Sequence, residues 1–263
     1  MKFSILLPIH DKINLKDIKR SIKTIYNNTT KPSEVVAVID GKINKEKKFF
    51  LKNYQSKNKS LKIFYKKKIG LSEVLNFGLK KCSNELVFRA DADDFNKSHR
   101  FKTQLNLYKN KNFDILGAQV KEKYKKNSFK KKLKSKPNLL DFLFRNPINH
   151  MTVMFKRSEI LKLGGYPNIT YKEDYALWIK CYLNGLKVRN INKVLVSNYL
   201  NDNFFERRSN FVSILSEFKL MVFAIKNNPI FILMILPILI RVIIFLMPKS
   251  IYKIIFFNFL RNN

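Results

Sequence analysis

Short apolar runs and apolar residues at helical spacing alternate along the first hundred residues of the chain. Four runs have the length and the apolar content of buried strands, at 3–7, 34–39, 61–65 and 85–90. Between them lie segments with helical character: Leu15, Ile18, Ile22 and Ile25, a lysine-rich stretch at 44–58, and Leu71, Leu75 and Leu79. Strands that alternate with amphipathic helices predict an α/β fold with a mostly parallel sheet flanked by helices.

Three carboxylates directly follow the fourth predicted strand. Asp91, Asp93 and Asp94 stand close together in a chain that has 52 Lys and Arg but only 19 Asp and Glu. Like charges this close repel each other unless a cation or hydrogen bonds compensate them. Right-handed crossovers bring the ends of parallel strands to one edge of the sheet, where α/β sheets bind ligands. The cluster therefore predicts a hard divalent cation that bridges protein oxygens and a phosphorylated substrate.

The middle of the chain is less regular. Residues 121–136 contain nine lysines and one glutamate, which predicts either a mobile solvated loop or a basic loop that meets phosphate or lipid. Further on, Thr170 and Glu173 stand at capping-box spacing, and Gly185 marks the end of the same predicted helix. A capping role for Glu173 would leave the adjacent Asp174 as the carboxylate available for chemistry.

The C-terminal part is dominated by the apolar stretch 229–247, which Pro237 and Arg241 interrupt. A helix needs about 20 apolar residues to span a bilayer, and an arginine near its middle opposes insertion. Basic residues flank the stretch at 226, 249, 253 and 261. We therefore expect a helix that lies in or dips into one leaflet, within a membrane-associating tail at 206–263. A full span and a helix packed on the catalytic domain are the alternatives. The preceding domain, 1–205, divides into a donor half at about 1–118 and an acceptor half at about 119–205.

Composition narrows the possible functions. The net charge of +33 suggests a nucleic-acid or anionic membrane partner, although AT-rich codon usage also enriches a chain in lysine. A basic binding protein without catalysis would explain this charge but not the ordered acids at strand ends. The absence of GxxxxGK[ST] excludes a P-loop NTPase. A nucleotidyltransferase would need a glycine-rich loop near residues 8–15, and these residues contain no glycine. The two distant cysteines and the short N-terminal apolar run predict a cytoplasmic catalytic part.

Several motifs in order resemble those of the family 2 glycosyltransferases, which have a GT-A fold. They are SILLPIH at 4–10, VAVIDG at 36–41, the stretch at 70–94 that ends in RADADD, NPINHMTVMF at 146–155, and GGY followed by EDYALW at 173–178. The chain is most similar to bacterial members that build surface polysaccharides, including the amylovoran-biosynthesis type. The resemblance covers roughly residues 3–200, and the order and spacing of the motifs make it specific.

The resemblance implies a donor site along the strand ends. Asp40 would hold the nucleotide base, with Pro8 and His10 in the same wall, although an aspartate before glycine is also common in turns. Asp91 and Asp93 match the DxD signature. The first would approach the ribose or the metal, and the second would ligate Mg²⁺ or Mn²⁺ on the diphosphate.

Further residues are implied around this core of the site, each with a structural alternative. Gly70 and Asn76 would lie beside the nucleotide or serve helix–sheet packing, and Arg89 would face phosphate or the surface. His150 would line the acceptor side or act as a structural hydrogen-bonding group, and Trp178 would stack on a sugar or belong to the core. Glu173 and Asp174 form the acidic pair at which the family has its catalytic carboxylate.

These expectations combine into one function. We expect an inverting, metal-dependent transfer of a sugar from a nucleotide donor, with UDP as the expected nucleotide, to a lipid-linked polysaccharide acceptor at the inner face of the cytoplasmic membrane. Asp174 would act as general base, because an acceptor hydroxyl is a poor nucleophile. A single base with in-line attack inverts the anomeric carbon, as in an inverting glycosidase. No specific nucleic-acid partner is expected.

Overall fold

The computed structural model describes residues 1–110 and 113–259, without the side chains of residues 110, 203 and 259, so Arg261 lies outside the described part. The strands are β1 Phe3–His10, β2 Glu34–Asp40, β3 Leu61–Lys66, β4 Leu86–Arg89, β5 Phe95–Asn96, β6 Ile115–Tyr124, β7 Asn127–Lys131, β8 Met154–Lys156 and β9 Val188–Tyr199. The helices are α1 Leu15–Tyr26, α2 Lys45–Lys57, α3 Leu71–Lys81, α4 Arg100–Asn110, α5 Leu139–Phe144, α6 Arg157–Lys162, α7 Glu173–Leu183, α8 Asp202–Arg208, α9 Phe211–Asn227, α10 Ile235–Leu246 and α11 Lys249–Phe259. Two 3₁₀ turns are His150–Thr152 and Pro229–Met234.

The strands form one nine-stranded sheet in the order β3-β2-β1-β4-β8-β6-β9-β5, with β7 paired to β6. The first four predicted strands are parallel neighbours, as expected. Beyond β4 the sheet is mixed, because β8 runs antiparallel to both β4 and β6, and β5 and β7 are also antiparallel to their partners. The predicted parallel arrangement therefore forms the N-terminal half, and the second half adds antiparallel strands beside the parallel pair β6–β9.

Alternation along the central strands explains why both faces of the sheet are covered. On β1, Phe3, Ile5 and Leu7 join the apolar cluster that contains α1, whereas Leu6 points into the cluster on the α3 side. Successive side chains of a strand point to opposite faces, so a continuous apolar run supplies two cores at once. This strand extends beyond the predicted run at 3–7, through Pro8 to His10.

The helix α3 approaches the sheet closely at one glycine. A Cβ atom built on Gly78 would lie 2.4 Å from Cδ1 of Leu6 and 2.9 Å from Cγ2 of Val38. These distances leave no room for a side chain at this position. Gly78 thus lets α3 pack closely on β1 and β2.

Two local predictions were wrong. The lysine-rich residues 121–136 include a β6–β7 hairpin, in which Tyr124 pairs with Asn127, and not a mobile loop. Aromatic contacts explain the order, since the ring of Phe257 in α11 lies 5.1 Å from that of Tyr124 and 4.5 Å from that of Phe129. The predicted capping box is also absent, because Lys172 is the N-cap of α7 and Glu173 is already its first helical residue.

The C-terminal helices pack on the catalytic part and share its core. The buried side chains of Leu220, Phe231, Met234 and Ile238 belong to the same apolar cluster as Trp178. Residues Pro229–Leu246 are long and apolar enough to cross a membrane, and 22% of this segment is buried in the protein. The segment is therefore anchored on one side and exposed on the other.

Candidate functional site

The ends of β1 and β2 form the first wall of the candidate site. The register places His10 directly opposite Asp40 at the carboxyl ends of these parallel strands. Oδ1 of Asp40 accepts a hydrogen bond of 2.8 Å from the amide of Ile69, and Gly70 follows with φ +88° as the N-cap of α3. Asp40 therefore holds the turn that precedes α3 and is half-exposed beside it, while Pro8 is buried within β1.

An ion pair fixes Asp91 just beyond β4. Nη2 of Arg89 donates to Oδ1 of Asp91 at 2.6 Å, and Nη1 donates to the carbonyl of Ala90. Arg89 is only 1% exposed, so its guanidinium does not face phosphate as the sequence suggested but acts on the site through Asp91. Burial raises the pKa of Asp91, but Arg89 and His150 outweigh this effect and hold that pKa below its ordinary value.

The other two carboxylates of the cluster are less compensated. Asp93 is exposed beyond the end of β4, and desolvation together with the charge of Asp91 raises its pKa to about 6. Desolvation, then Asp91 and Asp93, raise the pKa of Asp94 well above its ordinary value. Oδ2 of Asp94 is buried and lacks a hydrogen-bond partner among the described residues. Mutual repulsion in this cluster would be relieved by a bound cation.

The donor set fits a hard divalent ion that is shared with a substrate. Among the described residues, no three His, Cys, Asp or Glu side chains are grouped to hold a metal. Mg²⁺ and similar ions are commonly held by one or two carboxylates together with substrate phosphates, so a protein cage is not required. Asp93, which is exposed, and Asp91 beside it would supply oxygen ligands of this kind.

The second acidic group lies at the start of α7. Oδ2 of Asp174 accepts a hydrogen bond of 2.8 Å from Nδ2 of Asn146, and Oδ1 accepts one of 2.7 Å from the amide of Tyr175. Glu173 is 6% exposed, and burial, followed by the charge of Asp174, raises its pKa to about 7. Asp174 is thus fixed in orientation and half-exposed, whereas Glu173 is withdrawn from solvent.

His150 connects the two acidic groups. Burial and then Arg89 lower its pKa to about 4, while Asp174 and Asp91 both act on it in the opposite direction. Its Nε2 lies 3.0 Å from the hydroxyl oxygen of Tyr166. The imidazole is therefore hydrogen-bonded to Tyr166, and the charges of both acidic groups act on it.

Two predicted substrate contacts are instead structural. Oδ1 of Asn76 accepts from the amide of Tyr166 at 2.7 Å, and Nδ2 donates to its carbonyl at 2.9 Å, so both amide atoms clamp the backbone behind His150. Trp178 has no exposed surface, which excludes stacking on a sugar. Its ring packs against His150 and Tyr166, with centroid distances of 6.0 and 6.5 Å.

Sequence reasoning missed Arg207 and Asn146. Arg207 lies on α8 and is exposed, and its charge acts on His10, Asp91 and Asp93. Burial lowers the pKa of His10, and Arg207 adds to this effect. Arg207 lies outside the stretch that carries the resemblance, so only the folded chain brings this cation to the strand ends. Asn146 stands within a recognised motif, but its contact with residue 174 is long-range.

The chain matches the family described as glycosyl transferase family 2 over residues 4–174. It is 35% identical, over 98% of both chains, to the UDP-Gal:alpha-D-GlcNAc-diphosphoundecaprenol beta-1,3-galactosyltransferase of Escherichia coli. It is 28% identical, over 97% of both chains, to the amylovoran biosynthesis glycosyltransferase AmsE of Erwinia amylovora.

Solved structures share the architecture at lower identity. The crystal structure of S. aureus TarS 1–349 superposes with a TM-score of 0.69 at 19% identity, covering 92% of this chain and 71% of that chain. A mannosyltransferase from Pyrobaculum calidifontis in complex with GDP-Man and Mn²⁺ gives a TM-score of 0.65 at 14% identity, covering 96% and 72%. TarS has also been solved in complex with UDP-GlcNAc.

Proposed function

Since this chain belongs to glycosyl transferase family 2 and has a GT-A fold, we propose that it transfers a sugar with inversion from a UDP-linked donor to a lipid-linked saccharide. Membership of the family confirms the resemblance to bacterial polysaccharide glycosyltransferases. It also sets aside the alternatives of a nucleotidyltransferase and of a binding protein without catalysis.

The observation that carries the proposal is the meeting of two acidic groups at one edge of the sheet. Asp91 and Asp93 follow β4, and Glu173 and Asp174 begin α7, yet Asp91 and Asp174 both act on His150. Glycosyl transfer requires two things of the enzyme: neutralisation of a leaving diphosphate and deprotonation of an acceptor hydroxyl. The first acidic group would act on the diphosphate and the second on the hydroxyl.

The donor group serves the departing nucleotide. When bound, Mg²⁺ or Mn²⁺ would supply positive charge to the diphosphate, with Asp93 and Asp91 as its protein ligands. Arg207 adds a cation on the same side, since its charge reaches Asp91 and Asp93. His10, Asp40 and Gly70 border the space in which a nucleoside would lie against the strand ends.

Asp174 serves as the general base. Its carboxylate is half-exposed, and hydrogen bonds from Asn146 and the Tyr175 amide fix its orientation. Proton abstraction from the acceptor hydroxyl at Asp174, with attack opposite the diphosphate, inverts the anomeric centre. Contact between Glu173 and the substrate stays a prediction. The buried position of its side chain favours a role in supporting Asp174.

Relatives indicate the class of the substrates. The E. coli relative, matched over nearly its whole length, is named for a UDP-Gal donor and a diphosphoundecaprenol-linked acceptor. A UDP-sugar and a polyprenyl-linked saccharide are therefore the donor and acceptor that we assign. An acceptor anchored in lipid requires an enzyme that works at a membrane surface.

The C-terminal part supplies a surface for that purpose. Leu236, Leu239, Ile240, Ile243 and Leu246 recur at helical spacing on α10 and are 44–70% exposed. We call these five residues the tail stripe. An apolar stripe that faces away from the protein is typical of a helix that lies in a lipid interface. The exposed Lys226 and Lys249 flank it and suit anionic headgroups, so we assign the protein to the cytoplasmic face of the membrane.

The test is a UDP-release assay with a panel of nucleotide sugars, an undecaprenyl-diphosphate-linked acceptor, and Mn²⁺ or Mg²⁺. We expect turnover with a UDP-sugar that EDTA abolishes and that Asp93→Asn lowers by about 10²-fold or more, because a ligand of the charge-neutralising ion is lost. Thermal stabilisation by UDP and Mn²⁺ should disappear in the same variant. Full turnover in EDTA would defeat metal dependence, and turnover with no UDP-sugar would defeat the assigned donor.

A further inference from the structure

A buried ion network joins the apolar tail to the catalytic domain. Glu217 on α9 is fully buried, and its Oε2 accepts from Nε and Nη2 of Arg241 at 3.2 and 3.0 Å. Its Oε1 accepts from Nζ of Lys172. Burial raises the pKa of Glu217, but Lys172 and Arg241 outweigh this effect and lower it, so the carboxylate stays ionised between two cations.

One end of this network lies at the start of α7. Lys172 is the N-cap residue of that helix, and its carbonyl accepts the first helical hydrogen bond, 2.9 Å from the amide of Ala176. The next two residues are Glu173 and Asp174. The position of Lys172 therefore sets the orientation of Glu173 and Asp174, the first two residues of α7.

A second series of contacts leads from Arg241 to the carboxylate of Asp174. Nη1 of Arg241 donates to the carbonyl of Phe144, the last residue of α5, at 2.7 Å. Two residues later, Asn146 donates its side-chain amide to Asp174. The hydroxyl of Tyr175 closes this loop by donating to the carbonyl of Phe142 at 2.6 Å.

Arg241 is common to both connections. We propose that Arg241 is a positioning residue that fixes the Asp174 carboxylate through Lys172 on one side and through the Phe144–Asn146 segment on the other. This inference rests on the proposed role of Asp174 as the base. It also explains an arginine in the middle of an apolar segment, since its guanidinium faces the protein while the tail stripe faces outward. Moving the segment across a bilayer would break both connections.

The charges of the network make Arg241 the informative site for substitution. Arg241→Met leaves Lys172 paired with Glu217, so no buried charge is left alone. Glu217→Gln, by contrast, leaves two cations without their anion and endangers folding, since an unpaired buried charge is strongly destabilising. Arg241→Lys keeps the charge but loses the planar fork that contacts Glu217 and the Phe144 carbonyl together.

The experiment compares Arg241→Met, Arg241→Lys and Lys162→Met, each made in the whole chain. Lys162 is a matched control, because it forms an ion pair with Glu159 on the surface of α6 and its side chain is 70% exposed. We expect Arg241→Met to lower kcat by about 10- to 100-fold, since small misplacements of a catalytic group have effects of this size. The donor KM and the affinity for UDP–Mn²⁺ should stay within about twofold, and Arg241→Lys should recover part of kcat.

Hydrogen exchange supplies a readout that does not depend on activity. In Arg241→Met, the amides of Tyr175 and Ala176 and of residues 144–148 should exchange faster than in the wild type, while those at 86–90 should not change. Lys162→Met should alter neither kcat nor exchange at these sites. Unchanged kcat and exchange in Arg241→Met would overturn the inference, and so would a parallel loss of donor affinity. If the wild type transfers no sugar but Arg241→Met still shows the predicted faster exchange, the proposed function is overturned and the positioning role of Arg241 is not.

Discussion

The catalytic cleft and the C-terminal tail depart from the usual distribution of residues in opposite ways. In the cleft, charged groups are withdrawn from water: Arg89 is 1% exposed, Asp94 is 4% exposed and Glu173 is 6% exposed. On the tail, large aliphatic side chains are exposed, up to 70% at Leu246. Buried charges require compensation, and large exposed apolar patches mark a binding surface. Under the proposed function, an ionic ligand would complete the cleft and lipid would cover the tail.

The two regions also differ in how firmly the protein holds them. In the cleft, Asp91 and Asp174 have specific partners in Arg89 and Asn146, so their orientation is fixed before a ligand binds. The tail stripe has no comparable directional contacts, and its proposed binding to lipid depends on the apolar area that it exposes. Directional contacts make chemistry sensitive to single atoms, whereas burial of area tolerates substitution of one apolar residue by another.

The largest expected effect is the loss of the base. Asp174→Asn keeps the shape of the side chain and an oxygen for Asn146 but removes the proton acceptor, so kcat should fall by about 10²- to 10⁴-fold. Donor binding in a thermal-shift assay and binding to vesicles should stay unchanged. Glu173→Gln is the control for charge in the same pair and should have a smaller effect on kcat. Equal losses in both variants would contradict the assignment of Asp174.

An intermediate effect is expected on the tail. The triple change Leu236→Ser, Ile240→Ser and Ile243→Ser removes the centre of the tail stripe. Each aliphatic side chain contributes roughly 1.5–3 kcal/mol when it is fully buried, so even partial insertion predicts vesicle binding at least about tenfold weaker. Flotation with vesicles containing anionic phospholipid measures this effect.

Phe49→Ser provides the matched control, because Phe49 is 73% exposed but lies on α2, far along the chain from the tail. It should leave flotation unchanged. Turnover of the triple variant on a short water-soluble acceptor should remain near that of the wild type, since the three residues are exposed and Arg241 is retained. Vesicle binding that survives the triple change would show that the stripe is not the membrane surface.

The smallest expected effect is a pH dependence of stability. The pKa of Glu173 is raised from 4.5 to about 7, so the folded protein retains a proton that the unfolded chain has released. The contribution of this group to stability is therefore largest below about pH 4.5 and decreases as the pH rises to about 7. Glu173→Gln should gain stability relative to the wild type across that window, by at most roughly 3 kcal/mol above pH 7.

Chemical denaturation of both proteins at several pH values, without metal or nucleotide, measures this difference. Asp93 and His150 titrate in the same window, but they are present in both proteins, so the comparison isolates Glu173 to first order. A stability difference that does not vary with pH would contradict the withdrawn position of Glu173.

Sequence patterns located the elements of the donor half well. The four parallel strands and the helices between them follow from apolar runs and helical spacing, which are local properties of the chain. The second half of the sheet was less predictable, because β8 is only three residues long and pairs antiparallel with distant strands. The β6–β7 hairpin was missed since its order depends on aromatic contacts with α11, more than a hundred residues later.

The candidate site divides in the same way. Asp91, Asp93 and Asp174 are recognisable by residue type and motif, since the chemistry demands carboxylates at strand and helix ends. Asn76 and Trp178 carry no local sign of their actual contacts, because a helical amide or indole looks the same whether it faces a ligand or the interior. Burial and hydrogen-bond partners, which are tertiary properties, decide between these roles.

The amino-acid sequence by itself determined the alternation of strands and helices, the acidic positions at their ends and the apolar character of the tail, because each depends on neighbours along the chain. The tertiary structure decided which carboxylates share His150, that Arg89 orients Asp91, and that Arg241 turns inward to Glu217 while the tail stripe turns outward. Electrostatic and packing forces act through space over a few ångströms, so they join residues whose separation along the chain contains no record of the contact.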